Sequence, residues 1–66
     1  MRLTVNGELR EAPDSATLAE LLASLGIEKG RVAVERNREI APRSLWNAIR
    51  LEDGDRLEIV QFVGGG

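Results

Sequence analysis

The chain contains no cysteine and no histidine. Without cysteine no disulfide can reinforce the fold, and without either residue a zinc site would need carboxylates alone, an unusual donor set. Catalysis built on a His base or a Cys nucleophile is excluded for the same reason. No two carboxylates stand at a recognisable catalytic spacing either, so the sequence does not read as that of an enzyme. Lysine is almost missing, with Lys29 alone beside eight arginines. Long apolar runs are missing too, since none approaches the ~20 residues that span a bilayer. The start, Met1-Arg2-Leu3-Thr4, has no signal-peptide pattern, which makes a cytoplasmic location the expectation. A net charge of −2 leaves no basic surplus for nucleic acid, and neither a nucleic-acid nor a membrane partner is expected.

What is present suits one small domain. The chain has 66 residues, 42% hydrophobic and 30% charged, a globular rather than a disordered composition. A domain of this size buries only about 60% of its unfolded surface, so the core must be efficient and must come from Leu, Ile and Val.

Residues 1–6 alternate, with Met1, Leu3 and Val5 on one face, as in a half-buried strand. Asn6-Gly7 is a hairpin turn, and Glu8 to Ala12 a short return strand. Thr17-Leu18-Ala19-Glu20 has the form of a capping box. Leu18, Leu21, Leu22 and Leu25 then make one apolar helical stripe, closed by Gly26. Arg31 to Glu35 alternates again, with Val32 and Val34 inward. Glu39 to Ala41 reads as a very short strand, Pro42 to Trp46 as one 3₁₀ turn, and Arg56 to Phe62 as a final strand with Leu57 and Ile59 inward. One helix must then cover one face of a mixed sheet, with the first and last strands adjacent at its centre. The expected organisation is a domain over 1–63 followed by a glycine tail, 64–66. Asp53-Gly54-Asp55 lacks the spacing of a calcium loop, and no metal site is expected.

The tail is the chemically pointed feature. With glycine at ~7% of ordinary sequence, three in a row at a chosen end arise by chance in roughly one chain in 3000. Gly64-Gly65-Gly66 has no Cβ and forms a thin thread that can enter a narrow channel. An α-carboxyl titrates at about 3.3–3.7, so on Gly66 it is an ionised nucleophile at neutral pH, able to attack the α-phosphate of ATP. A phosphate-binding loop is excluded, because such glycines lead into a helix and here no helix follows them.

The whole sequence resembles the ThiS family, the β-grasp, ubiquitin-like sulfur carriers of thiamine thiazole formation. Residues 17–22 resemble its T-x-x-E-L-L helix start, and residues 32–43 its V-A-V-x-x-N-x-x-I-V-P-R segment. Trp46 stands where the family has an aromatic residue, and residues 51–59 resemble L-x-D-G-D-x-I-E-I. At the end the family often has V-x-G-G, with Gly64 here in the variable place. The fold implied is α+β: a mixed sheet of four to five strands packed on one helix, plus a 3₁₀ turn. The function implied is a cycle in which an E1-like, ThiF-type enzyme uses ATP and magnesium to adenylate Gly66. A persulfide donor then supplies sulfur to give a thiocarboxylate, and a ThiG-type thiazole synthase takes that sulfur. The chain itself would hold no cofactor.

Val60 and Phe62 alternate away from Leu57 and Ile59, and Ala33 can extend them from a neighbouring strand. These three form a candidate docking patch for the activating enzyme, against the plain alternative of local packing. Glu52, Asp53, Asp55 and Glu58 read as a solvated acidic face that can also steer a basic partner. Arg36, Arg38 and Arg43 form a modest basic cluster. Other readings of the same tail are sulfur supply to tRNA thiolation or molybdopterin synthesis, and a protein modifier that joins lysines. An interaction domain with an idle tail is the remaining one.

Overall fold

The computed structural model describes residues 1–27 and 29–62. The expected domain boundary, 1–63 against 64–66, and the tail residues Gly64, Gly65 and Gly66 lie outside the described residues. Five strands, one helix and one 3₁₀ turn follow the order read from the sequence. They are β1 (Arg2–Val5), β2 (Glu8–Glu11), α1 (Leu18–Ser24), β3 (Arg31–Arg36), β4 (Glu39–Ile40), η1 (Arg43–Leu45) and β5 (Arg56–Phe62).

The first hairpin turns on Asn6 and Gly7, at φ 51° and 83°. Two successive positive φ values match the right-handed twist of the flanking strands. The helix begins as its sequence indicates: the Glu20 N–H donates to Thr17 Oγ1, and Glu20 Oε1 accepts from the Thr17 N–H. It ends at Gly26, φ 79°, where the Gly26 and Ile27 N–H groups donate to Ala23 O and Leu22 O. This pair of hydrogen bonds satisfies two of the last carbonyls of the helix. The remaining N-terminal donors find partners that sequence could not supply: the Leu18 and Ala19 N–H groups bond Ile49 O and Trp46 O at 2.9 and 3.0 Å. The segment after η1 is thereby sewn to the helix.

The sheet order is β2-β1-β5-β3-β4. β1 and β5 run parallel at its centre, and the other neighbours are antiparallel. The helix covers one face. Leu18 and Leu22 from α1, Leu3 from β1, Val34 from β3 and Leu57 from β5 are almost fully buried there. Trp46 closes one end of the core, and its indole N–H donates to Ala41 O at 2.8 Å. No element among the described residues covers the opposite face. No helix among them is long and apolar enough to cross a membrane.

Candidate functional site

β5 is the strand from which the tail departs, and it is the middle strand of the sheet. Because Leu57 and Ile59 point to the helix, the two-residue period sends Glu58, Val60 and Phe62 to the open face. The register sets Ala33 opposite Val60 and Arg31 opposite Phe62. The structure therefore brings Ala33, Val60 and Phe62 together on one surface, with Val60 53% and Phe62 59% exposed. It adds Ile40, 70% exposed, which sequence reasoning missed. β4 places it against Glu35, beside Ala33 and Val60, in a shallow depression of about 520 Å³. A two-residue strand has no periodicity of its own, so only the pairing reveals which way Ile40 points. Glu35 and Glu58 lie directly opposite each other in the same depression, an unfavourable like-charge pair in the isolated sheet.

Two asparagines hold β5 in place. The Asn6 side chain brackets Ile59, with Nδ2 donating to Ile59 O at 3.1 Å and Oδ1 accepting from the Ile59 N–H at 2.7 Å. A residue suited to its turn by φ thus also extends the β1–β5 ladder through its amide. At the other end of β5, Asn37 (φ 50°) accepts from the Arg56 N–H at 2.9 Å and donates to Asp55 Oδ1 at 3.0 Å.

Asp55 departs from the sequence expectation of a solvated charge. It is only 5% exposed and accepts from Arg36 Nε, Asn37 Nδ2 and the Glu52 N–H. Burial pushes its carboxyl up. The hydrogen bonds from Asn37, the Glu52 backbone and Arg36, with the Arg36 charge, outweigh that and hold it below the usual carboxylate range. Asp53 is also structural, its Oδ1 accepting from the Arg2 N–H. Glu52 pairs with Arg36 at 3.3 Å. Of the four acidic residues, only Glu58 shares the open face with Val60 and Phe62.

The basic cluster is not assembled. Arg36 is engaged by Asp55 and Glu52. Arg43 lies over the Trp46 ring, 5.1 Å from its centroid, and donates to Gly30 O at 2.7 Å. Arg38 occupies the left-handed second position of the β3–β4 turn at φ 70°. Among the described residues no group of His, Cys, Asp or Glu could hold a metal ion.

The arrangement is a sheet with an open, partly apolar face, and its central strand ends at Phe62, two positions before the three glycines of the sequence.

Comparison with known proteins agrees with this form. A family model described as ThiS family matches residues 3–66. The chain is 50% identical over 66 residues to a thiazole synthase of Paramagnetospirillum magneticum, covering 100% of this chain and 20% of that protein. It therefore spans about a fifth of that relative's length. It is 43% identical over 65 residues to the sulfur carrier protein ThiS of Bacillus subtilis, covering 97% of this chain and 98% of the relative. A crystal structure of a thiamine biosynthesis protein (ThiS) from Geobacter metallireducens superposes with a TM-score of 0.83 at 38% identity, covering 100% of both chains.

Proposed function

The chain belongs to the ThiS family, and from that premise we propose that it is a sulfur carrier of thiamine biosynthesis that works through Gly66. The observation that carries this reading is the nearly end-to-end match to a sulfur carrier, on a fold whose central strand ends two positions before the glycines of the sequence.

In the first step a Gly66 carboxylate oxygen attacks the α-phosphorus of ATP. Pyrophosphate leaves and an acyl-adenylate remains. The E1-like, ThiF-type partner contributes the nucleotide, the magnesium and the electrostatic clamp. The terminal sulfur of a persulfide donor then attacks the carbonyl carbon and displaces AMP. Cleavage of the resulting acyl disulfide by a thiolate on the donor side frees the thiocarboxylate. Its soft sulfur is then passed to a ThiG-type thiazole synthase. Two relatives that align with the full length of this chain, at 50% and 41% identity, bear the name thiazole synthase, which favours that acceptor over tRNA thiolation or molybdopterin synthesis. The carrier is a substrate throughout, not a catalyst.

Intact mass spectrometry tests the reading directly. The protein is incubated with its cognate activating enzyme, ATP, magnesium and a persulfide donor. Replacement of one oxygen by sulfur at Gly66 is expected. Pyrophosphate release with no such replacement would remove the sulfur-carrier reading.

In the same reading, the open face around Val60, Phe62 and Ala33 is the docking surface for the activating enzyme. Phe62→Asp places a charge where a partner would desolvate an aromatic ring. It is expected to slow pyrophosphate release by about tenfold or more, as for a central interface aromatic. Phe62 is 59% exposed, so the melting temperature should barely move. Unchanged activation kinetics in this variant would place the docking surface elsewhere.

A further inference from the structure

Resting on the docking of the activating enzyme described above, we propose that Glu35 and Glu58 are the receptor for one arginine side chain of that enzyme, held between the two carboxylates when the open face is covered.

The register sets the two glutamates side by side. They are direct partners in the antiparallel β3–β5 ladder. Just beyond that ladder the Asn37 N–H donates to Arg56 O at 2.8 Å. Hydrogen-bonded pairs recur at every second residue, so Glu35 with Glu58 is the next such pair. Their Cβ atoms rise from the same face about 5 Å apart, and like charges at that spacing oppose the fold.

Neither charge is answered within the described chain. The ion pairs among the described residues join Met1 to Asp14, Arg2 to Glu11, and Arg36 to Glu52 and Asp55. Arg56 shares the open face two residues before Glu58, yet it joins none of these pairs. The immediate neighbours are apolar instead. Ile40 stands opposite Glu35, and Ala33 opposite Val60 completes the wall of the depression. Glu35 is already half-buried there.

A partner that covers Val60 and Ile40 must therefore take both carboxylates out of water as well. Desolvated carboxylates without a countercharge would hold the two surfaces apart. The occupant has to bring a cation into the depression. A guanidinium suits this better than an ammonium group. It is weakly hydrated, and its planar fork of N–H donors can serve a carboxylate on each side. A second copy of this chain is a poor occupant, because an isologous contact would press one glutamate pair against another. The pair thus favours a surface that carries the arginine and rejects apolar surfaces that lack it.

The test follows pyrophosphate release by the full chain with its cognate activating enzyme, ATP and magnesium, over a range of carrier concentrations. A thermal melt and sedimentation of each carrier alone run beside it. Glu35→Gln and Glu58→Gln each remove one charge and keep the shape. Each should raise the melting temperature by about 1–7 °C, since the like-charge contact is gone. Each should also raise the carrier KM by about threefold with kcat unchanged, the mark of lost uniform binding. Glu35→Gln/Glu58→Gln leaves the arginine desolvated and unpaired. Its KM should rise by about 100-fold, well beyond the product of the single effects. Glu35→Arg supplies the cation from within. It should melt higher than Glu35→Gln, through its pairing with Glu58, yet match the double variant in KM because the receptor is filled.

A wild-type KM in the double variant overturns the proposal. If Phe62→Asp still slows activation, the docking face stands without it. A double effect equal to the product of the single ones means two separate contacts and also overturns it. So does a lower melting temperature in the Gln variants, which would make the pair structural. A wild-type dimer that becomes monomeric in the double variant would assign the pair to a second copy and overturn it too. Absence of pyrophosphate release from wild type removes the activation of Gly66 and this proposal with it.

Discussion

Deletion of Gly66 is expected to abolish sulfur loading while leaving the melting temperature unchanged. The deletion still ends in a glycine carboxylate, Gly65, but this stands one residue short. One extended residue is ~3.5 Å, and a misplacement of 1 Å at a reacting centre can already cost about 100-fold. Adenylation in a channel matched to the full tail should therefore fall below detection. Gly66 lies four residues beyond the end of β5, and removing a residue outside the sheet and helix should cost less than about 0.5 kcal/mol. Gly66→Ala makes a useful companion. It keeps the length but adds a methyl beside the carbonyl, and should slow the sulfur step more than pyrophosphate release. Intact mass and a pyrophosphate assay, run beside a thermal melt, separate these effects. Normal sulfur exchange in the Gly66 deletion would show that the tail is not the handle.

Asp55→Ala is expected to be the most damaging single substitution outside the apolar core. The carboxylate satisfies three donors at once, Arg36 Nε, Asn37 Nδ2 and the Glu52 N–H, from a position only 5% exposed. Alanine leaves all three without that partner. Breaking a buried pair costs ~3–5 kcal/mol, and the partial exposure of Arg36 argues for the lower end, about 3 kcal/mol. In a domain this small that corresponds to a fall in Tm of about 12–24 °C. The pH dependence follows from the direction of the Asp55 shift. A carboxyl held below its ordinary value contributes stability that is complete above that value, near pH 4, and is lost as pH falls through the depressed one. Wild type and Asp55→Ala should thus differ by a constant amount from neutral pH down to about 5, and converge in stronger acid. Denaturant melts across that range check it. A gap that persists unchanged at the acid extreme would mean that Asp55 acts by packing and not by charge.

These two sites divide the family-like motifs by role. Asn37 and Asp55, the most distinctive polar residues of the N-x-x-I-x-P-R and D-G-D stretches, are spent on holding the start of β5. Arg43 is spent on Trp46 and the Gly30 corner. Both stretches serve the fold, while the proposed chemistry is left to residues with no side chain at all.

How far this was legible depends on the range of the forces involved. Local signals determined the elements. Alternation marked β1, β3 and β5, Asn6-Gly7 marked the first turn, and the Thr17–Glu20 capping box with Gly26 set both ends of α1, since each effect acts within a few residues along the chain. The same alternation sent Val60 and Phe62 away from the core. The pairing decided the rest. Whether Asp55 is solvated or buried depends on Arg36 and Asn37, which are 19 and 18 residues away in sequence. The dispersal of Arg36, Arg38 and Arg43 likewise reflects partners gathered by the sheet. Ile40 joins the open face only through its pairing with Glu35. The sequence by itself determined the last strand and the face that its outward residues make, because backbone period and side-chain size are local properties. Only the tertiary structure decided which charges are free to meet a partner, because desolvation and hydrogen bonding depend on neighbours that the chain brings together from a distance.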